Sequence, residues 1–246
     1  IRDVERSRGL GDVYKRQRLG IPSKGRLMGQ TFHWFSERGI NLVRSESDRE
    51  YAGHIEGIKN VQLIFLSARE IPRELSAGRL HFGVTGNDVI QEKLVRFNQL
   101  VEPISELGFG FADLIIAIPS FWVDVETLDD LDAVSAQLRD NHGYRLRIAT
   151  KYHRLLREFL MQTGVADYQI VDSQGATEGA VKNGLAEAIA DITSTGNTIR
   201  ANHLKILSDG LILKSQATLF KSLMAEFSQE ENQVANLLVK KLSTKD

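Results

Sequence analysis

GLAEAIADITSTGNTIRANHL, residues 184–204, changes character twice along its length. Leu185, Ala186, Ala188, Ile189 and Ala190 lead into Asp191 and Ile192, an apolar run bounded by small polar residues. Such a run reads as a buried parallel strand. Thr193-Ser194-Thr195-Gly196-Asn197-Thr198 follows as a loop of hydroxyls around one glycine, and Ile199-Arg200-Ala201-Asn202 can open a helix. Strand, hydroxyl–glycine loop and helix start together suit a phosphate, because free N–H groups and the positive helix end face the anion. Gly196 permits a positive φ, and the hydroxyls add donors without charge. Asp191 stands where the strand gives out, the place where open α/β sheets put ligand contacts. A carboxylate beside a phosphate nest suggests a sugar phosphate, with the acid on the ribose hydroxyls. The same residues also fit an ordinary strand–loop–helix connection with Ser/Thr caps.

Working outward, strands and helices alternate, which makes the class α/β. Arg18–Pro22 reads as a strand, Ser23-Lys24-Gly25-Arg26 as a basic turn, and Leu27–Arg38 as a helix stopped by Gly39. The basic turn is a second candidate anion site, or a pair of solvated cations. Strands are expected at 40–44, 61–66, 80–84, 114–118, 146–149, 168–171 and 206–213. Helices are expected at 70–77, 89–97, 127–138, 150–163 and 177–183, and over most of 217–242. Gly86 and Asp88 occupy a strand–glycine–polar–helix turn like the one after Asp191; Asp88 fits either a helix cap or a ligand contact.

The chain has 246 residues and is 42% hydrophobic, enough for one large domain or two lobes. The formal net charge is −1 with dispersed basic residues, so nothing marks a nucleic-acid footprint. There is no cysteine, hence no disulfide framework and no thiolate chemistry. No apolar run approaches the roughly 20 residues of a membrane helix. No secretory signal is visible, and a cytoplasmic protein is expected. The histidines show no metal-ligand spacing. Residues 1–17 carry five basic and three acidic residues with little periodicity and read as an arm outside the fold. The polar segments around 98–110 and 172–184 suggest crossings between two lobes. That places 18–104 with 179–246 in lobe I, carrying the phosphate loop, and 105–178 in lobe II, with a cleft between them.

SKGRL (23–27), GVTGND (83–88), ELGFG (106–110), RIATKY (147–152) and ADITSTGNTIRAN (190–202) together resemble the short form of ATP phosphoribosyltransferase, over about residues 18–224. The resemblance implies two lobes, each a mainly parallel sheet flanked by helices, similar to type II periplasmic binding proteins. It implies transfer of 5-phosphoribosyl from phosphoribosyl pyrophosphate to N1 of ATP, with magnesium carried mainly by substrate. It assigns Asp191, Thr193, Ser194, Thr195, Gly196, Asn197 and Thr198 to phosphoribosyl pyrophosphate. Arg49 comes first and Arg26 second for the leaving pyrophosphate, with Lys24 beside them. Gly86, Asp88, Lys151 and Glu178 are ATP or product contacts. About 40 residues follow the loop motif, too few for the histidine-binding domain of longer relatives. A separate regulatory subunit resembling histidyl-tRNA synthetase is therefore the implied partner, with a homodimer inside a hetero-oligomer. Glu187 stands where aspartate is expected, and His203 where glycine is common. Without the resemblance, Arg49 reads as a solvated loop residue and Glu178 as a surface helix residue. Two rivals stand beside this reading. One is a solute-binding protein without chemistry. The other is a phosphoribosyltransferase acting on a free base, though many of those carry two adjacent acids where this chain has Ala190-Asp191.

Overall fold

A computed structural model describes residues 17–45, 52–173, 175 and 177–227. It divides into two units, one holding residues up to 85, 98–105 and those from 218, the other 86–97 and 106–217. The first unit is built on strands β1 (Gln17–Pro22), β2 (Leu42–Arg44), β3 (Ala52–Ile55), β4 (Ile58–Leu66), β5 (Phe82–Gly86), β6 (Val101–Glu106) and β12 (Ala217–Ser222). Their order across the sheet is β2-β3-β4-β1-β5-β12-β6. Helices α1 (Gly25–Ser36) and α2 (Ile71–Ser76) join its parallel strands. The second unit carries β7 (Ala112–Pro119), β8 (Leu146–Thr150), β9 (Tyr168–Asp172), β10 (Ala188–Thr193) and β11 (Leu204–Ser215), ordered β11-β7-β10-β8-β9. Its helices are α3 (Asn87–Lys93), α4 (Leu128–His142), α5 (His153–Thr163), α6 (Gly179–Lys182) and α7 (Asn197–Ala201).

Both sheets repeat one plan. The first strand of a βαβ pair sits in the middle, the second lies on one side, the third on the other, and a strand from elsewhere follows the third. That gives β4-β1-β5-β12 in one unit and β9-β8-β10-β7 in the other. Parallel pairing joins β1 to β4 and β5, and β8 to β9 and β10. Towards the edges the pairing turns antiparallel, at β2–β3, β3–β4, β7–β10 and β7–β11. The β3–β4 hairpin turns at Glu56-Gly57, a connection antiparallel strands allow and parallel ones do not.

The second sheet is covered on both faces, which explains its apolar strands. Ala188 and Ala190 of β10 join Ile116, Ile118, Ile148, Leu131, Leu156 and Leu160 on one side. Ile189 joins Ile115, Ala117, Ala149 and Ile199 on the other. A reciprocal capping box starts α4: Thr127 Oγ1 accepts from the Asp130 N–H, and Asp130 Oδ2 accepts from the Thr127 N–H. Gly164 closes α5 at φ 84°.

Four expectations from sequence are corrected. The stretch from Ala217 is a strand, not the start of a helix: Ala217, Thr218, Leu219 and Phe220 are all buried in β12, between β5 and β6. Residues from 228 onward lie outside the described residues. The chain does change unit around 98–110, at both ends of a stretch that carries β6, but 172–184, read as the other crossing, lies wholly within the second unit. The lobe assignment changes as well. The phosphate-loop region does not belong with the N-terminal unit, because β10 bonds to β7 and β8, and β11 bonds to β7. Residues 86–97 leave the first unit too, since α3 packs on α5 and β11.

Candidate active site

The candidate site of the second unit lies at the carboxyl ends of β9, β8 and β10. These three neighbouring parallel strands carry the polar turns, the usual ligand position of an open α/β sheet. Thr150 of β8 pairs in register with Ala190 of β10, so Lys151 and Asp191 emerge side by side. The Lys151 ammonium lies 3.7 Å from Asp191 Oδ2, with side chains 24% and 12% exposed. Asp191 Oδ1 accepts from the Ile192 N–H at 2.9 Å.

The loop beyond Asp191 has the conformation that its glycine suggests. Gly196 sits at φ 71°, ψ 1° and caps α7. Two amides are engaged: Gly196 N–H donates to Thr193 Oγ1 at 2.9 Å, and Asn197 N–H donates to Thr195 Oγ1 at 3.4 Å. Those hydroxyls therefore act as acceptors that shape the turn, while each keeps its own proton to donate. The N–H groups of Ser194, Thr195 and Thr198 have no acceptor among the described residues. Arg200, which the sequence did not single out, braces the loop: its Nη2 donates to the Thr195 carbonyl at 3.0 Å and to Asn197 Oδ1 at 2.6 Å. By contrast, the start of α5 is already filled. Glu92 takes the Arg154 and Leu155 N–H groups at 3.1 and 3.0 Å, so its carboxylate stands where an anion would.

Asp88, for which the sequence allowed a helix cap or a ligand contact, is not the capping residue of its helix. It lies in the first turn of α3, after the Gly86 cap, and is 4% exposed. Its Oδ1 accepts from Ser215 Oγ at 2.7 Å and its Oδ2 from Tyr152 Oη at 2.7 Å, while its N–H donates to Ser215 Oγ at 2.9 Å. Both carboxylate oxygens are thus held by hydroxyls. This network was illegible in sequence, since its members are 64 and 127 residues apart. Gly86 leaves room for the Asp88 carboxylate: a Cβ there would come within 2.3 Å of Oδ1. Glu178 caps α6 beyond β9 and is half-buried.

Gly86, Asp88, Lys151, Glu178, Asp191 and the loop 193–198 all belong to the second unit, whereas Lys24 and Arg26 belong to the first. Lys24 caps α1, Arg26 lies in its first turn, and both are exposed. Arg49, the first choice for the leaving group, lies outside the described residues. Glu187 pairs with Arg147 through contacts of 2.5–3.2 Å, and Arg147 N–H donates to it at 2.8 Å. Burial pushes the Glu187 carboxyl up, but the hydrogen bonds from Arg147 outweigh it and hold the group below the usual range.

The architecture and the loop define an α/β protein of two sheet-based units with a candidate sugar-phosphate site. Residues 67–244 match the family model described as HisG, ATP phosphoribosyltransferase. The chain is 62% identical to the ATP phosphoribosyltransferase of Cereibacter sphaeroides, covering 89% of this chain and 93% of that one. It is 46% identical to that of Mesorhizobium japonicum, covering 90% and 96%. The chain belongs to the ATP phosphoribosyltransferase family. It is a pentosyltransferase that moves 5-phosphoribosyl from phosphoribosyl pyrophosphate to N1 of ATP, releasing pyrophosphate in the first step of histidine biosynthesis. Among solved structures, the ATP phosphoribosyl transferase (HisG:HisZ) complex from Thermotoga maritima shares the fold at TM-score 0.66 and 22% identity, with coverage of 92% and 96%. A periplasmic transporter shares it at TM-score 0.51 and 12% identity, with coverage of 92% and 80%. The solute-binding rival thus has the fold in common but not the family, and the family name answers the free-base rival.

Proposed function

We propose that the loop Thr193–Thr198 grips the 5-phosphate of phosphoribosyl pyrophosphate and that Asp191 takes the ribose hydroxyls. One observation supports this most: the amides of Ser194, Thr195 and Thr198 have no acceptor among the described residues and lie just beyond the Asp191 carboxylate, at the end of β10. Breaking the C1′–oxygen bond leaves an oxocarbenium-like sugar and puts negative charge on the departing oxygen. A cation aimed at that oxygen helps most, since its interaction grows as the bond breaks. Arg49 is assigned that role, then Arg26, with Lys24 on the pyrophosphate. Adenine N1 has a lone pair at neutral pH and needs no general base, so the protein's task on the ATP side is positioning. Gly86 and Glu178 are assigned to ATP or product; Asp88 shapes the site from beneath.

Among the described residues no three His, Asp or Glu side chains converge as a metal cage. Magnesium is assigned, from the family's reaction, mainly to pyrophosphate oxygens and water, where it would supply positive charge to the leaving group. Among the described residues no helix is long and apolar enough to cross a membrane. A cytoplasmic location suits a reaction on ATP. The Thermotoga maritima complex pairs its enzyme with HisZ. A histidyl-tRNA-synthetase-like regulatory subunit is proposed as partner here, with this chain in its short form and as a homodimer within the hetero-oligomer. Histidine is then expected to inhibit the mixture with such a subunit and not the isolated chain; inhibition of the chain alone overturns the partner assignment.

The test of the site is the ultraviolet change of the adduct in a mixture of protein, ATP, phosphoribosyl pyrophosphate and magnesium. Thr198→Val is expected to raise KM for phosphoribosyl pyrophosphate and leave that for ATP unchanged. Arg49→Ala is expected to lower kcat far more than it weakens ATP binding. Equal losses in both quantities overturn the leaving-group role.

A further inference from the structure

Two features of the second unit remain outside that account: the Lys151–Asp191 pair, whose half-buried lysine was expected only as a contact with ATP, and the buried Asp88–Tyr152–Ser215 network. They meet in one turn. Tyr152 follows Lys151 directly, and its position is fixed at both ends. Its N–H donates to Thr150 Oγ1 at 2.9 Å, and its hydroxyl donates to Asp88 at 2.7 Å. Thr150 is fully buried and Tyr152 is 6% exposed. The backbone that carries Lys151 is therefore held at the end of β8, next to the end of β10.

We propose that Lys151 is a positioning residue for phosphoribosyl transfer, acting through Asp191 rather than on ATP. The reason is electrostatic. Asp191 is 8% exposed and stands two residues before a loop assigned to a phosphate. A bare carboxylate there repels a polyanionic substrate. The ammonium at 3.7 Å cancels that charge locally. Yet the contact is long, and a carboxylate has about four acceptor directions. One serves Ile192 N–H and one faces Lys151, which leaves capacity for ribose hydroxyls. Lys151 thus keeps Asp191 aimed at the sugar and makes its presence beside the phosphate loop tolerable. This inference rests on the assignment of Asp191 to the ribose.

The experiment is a double-mutant cycle on the whole protein with Lys151→Met, Asp191→Asn and the pair, plus Lys151→Arg and Lys151→Gln. Lys151→Met and Lys151→Gln are each expected to raise KM for phosphoribosyl pyrophosphate by about tenfold, with KM for ATP within about twofold of wild type. Lys151→Arg restores most of the loss. In the Asp191→Asn background the lysine substitution has little further effect, because no carboxylate is left to neutralise. A rise in KM for ATP with that for phosphoribosyl pyrophosphate unchanged overturns the inference, as do additive effects in the cycle. If Asp191→Asn itself leaves phosphoribosyl pyrophosphate unaffected, the ribose assignment fails and this inference with it. If Asp191→Asn is defective while Lys151→Met is not, the inference alone fails.

Discussion

Replacing Gly196 probes the candidate site most directly. The residue sits at φ 71°, where a side chain costs about 1–2 kcal/mol. A Cβ there would also come within 2.8 Å of Arg200 Nη1. That atom ends a flexible chain and can move, but moving disturbs the guanidinium bonds to Thr195 and Asn197. Ser194, Thr195, Asn197 and Thr198 are exposed, so an apo loop bearing alanine can relax out of the left-handed conformation at little cost to overall stability. Binding the phosphate then has to restore that conformation, and the strain appears in affinity. Gly196→Ala is expected to weaken phosphoribosyl pyrophosphate by about 2 kcal/mol, close to thirtyfold. Gly196→Val, branched at Cβ, is expected to abolish binding. Calorimetric titration with phosphoribosyl pyrophosphate and magnesium, alongside thermal melts, measures both quantities. Unchanged affinity in Gly196→Val, with a wild-type melting temperature, would refute the phosphate-nest assignment.

Other substitutions test the scaffold. Glu187→Gln breaks a half-buried ion pair and is expected to destabilise by about 2 kcal/mol in urea while leaving KM values unchanged. Tyr152→Phe removes one hydroxyl from the buried Asp88 carboxylate and is expected to lower stability by about 1–2 kcal/mol, read from the denaturation midpoint. Glu74 accepts from Arg79 and Arg73, and chiefly the Arg79 bond draws its carboxyl down to about 2. Its stabilising effect is present above the unfolded value of 4.5 and is lost as pH falls towards 2. Since both arginines are largely exposed, Glu74→Gln is expected to cost only about 0.5–1 kcal/mol at neutral pH, and the gap from wild type should close in melts between those limits.

The sequence by itself determined the alternation of strands and helices and the kind of turn that ends β10. Both are local matters. A buried strand is written in its apolar run, Gly164 and Gly196 mark left-handed backbone, and Thr127 with Asp130 writes a helix start. It also carried the family, through five motifs in order. Tertiary structure alone decided which sheet each strand joined. The residues of β12 can be written as helix or strand, and only burial between β5 and β6 selects the strand. The same holds for β10, whose place beside β7 and β8 moved the phosphate loop into the second unit. Asp88, which in sequence fitted a cap or a ligand contact, accepts from Ser215 and Tyr152, and Lys151 faces Asp191. Such pairings depend on register between strands far apart in the chain, and no local pattern encodes register across that separation.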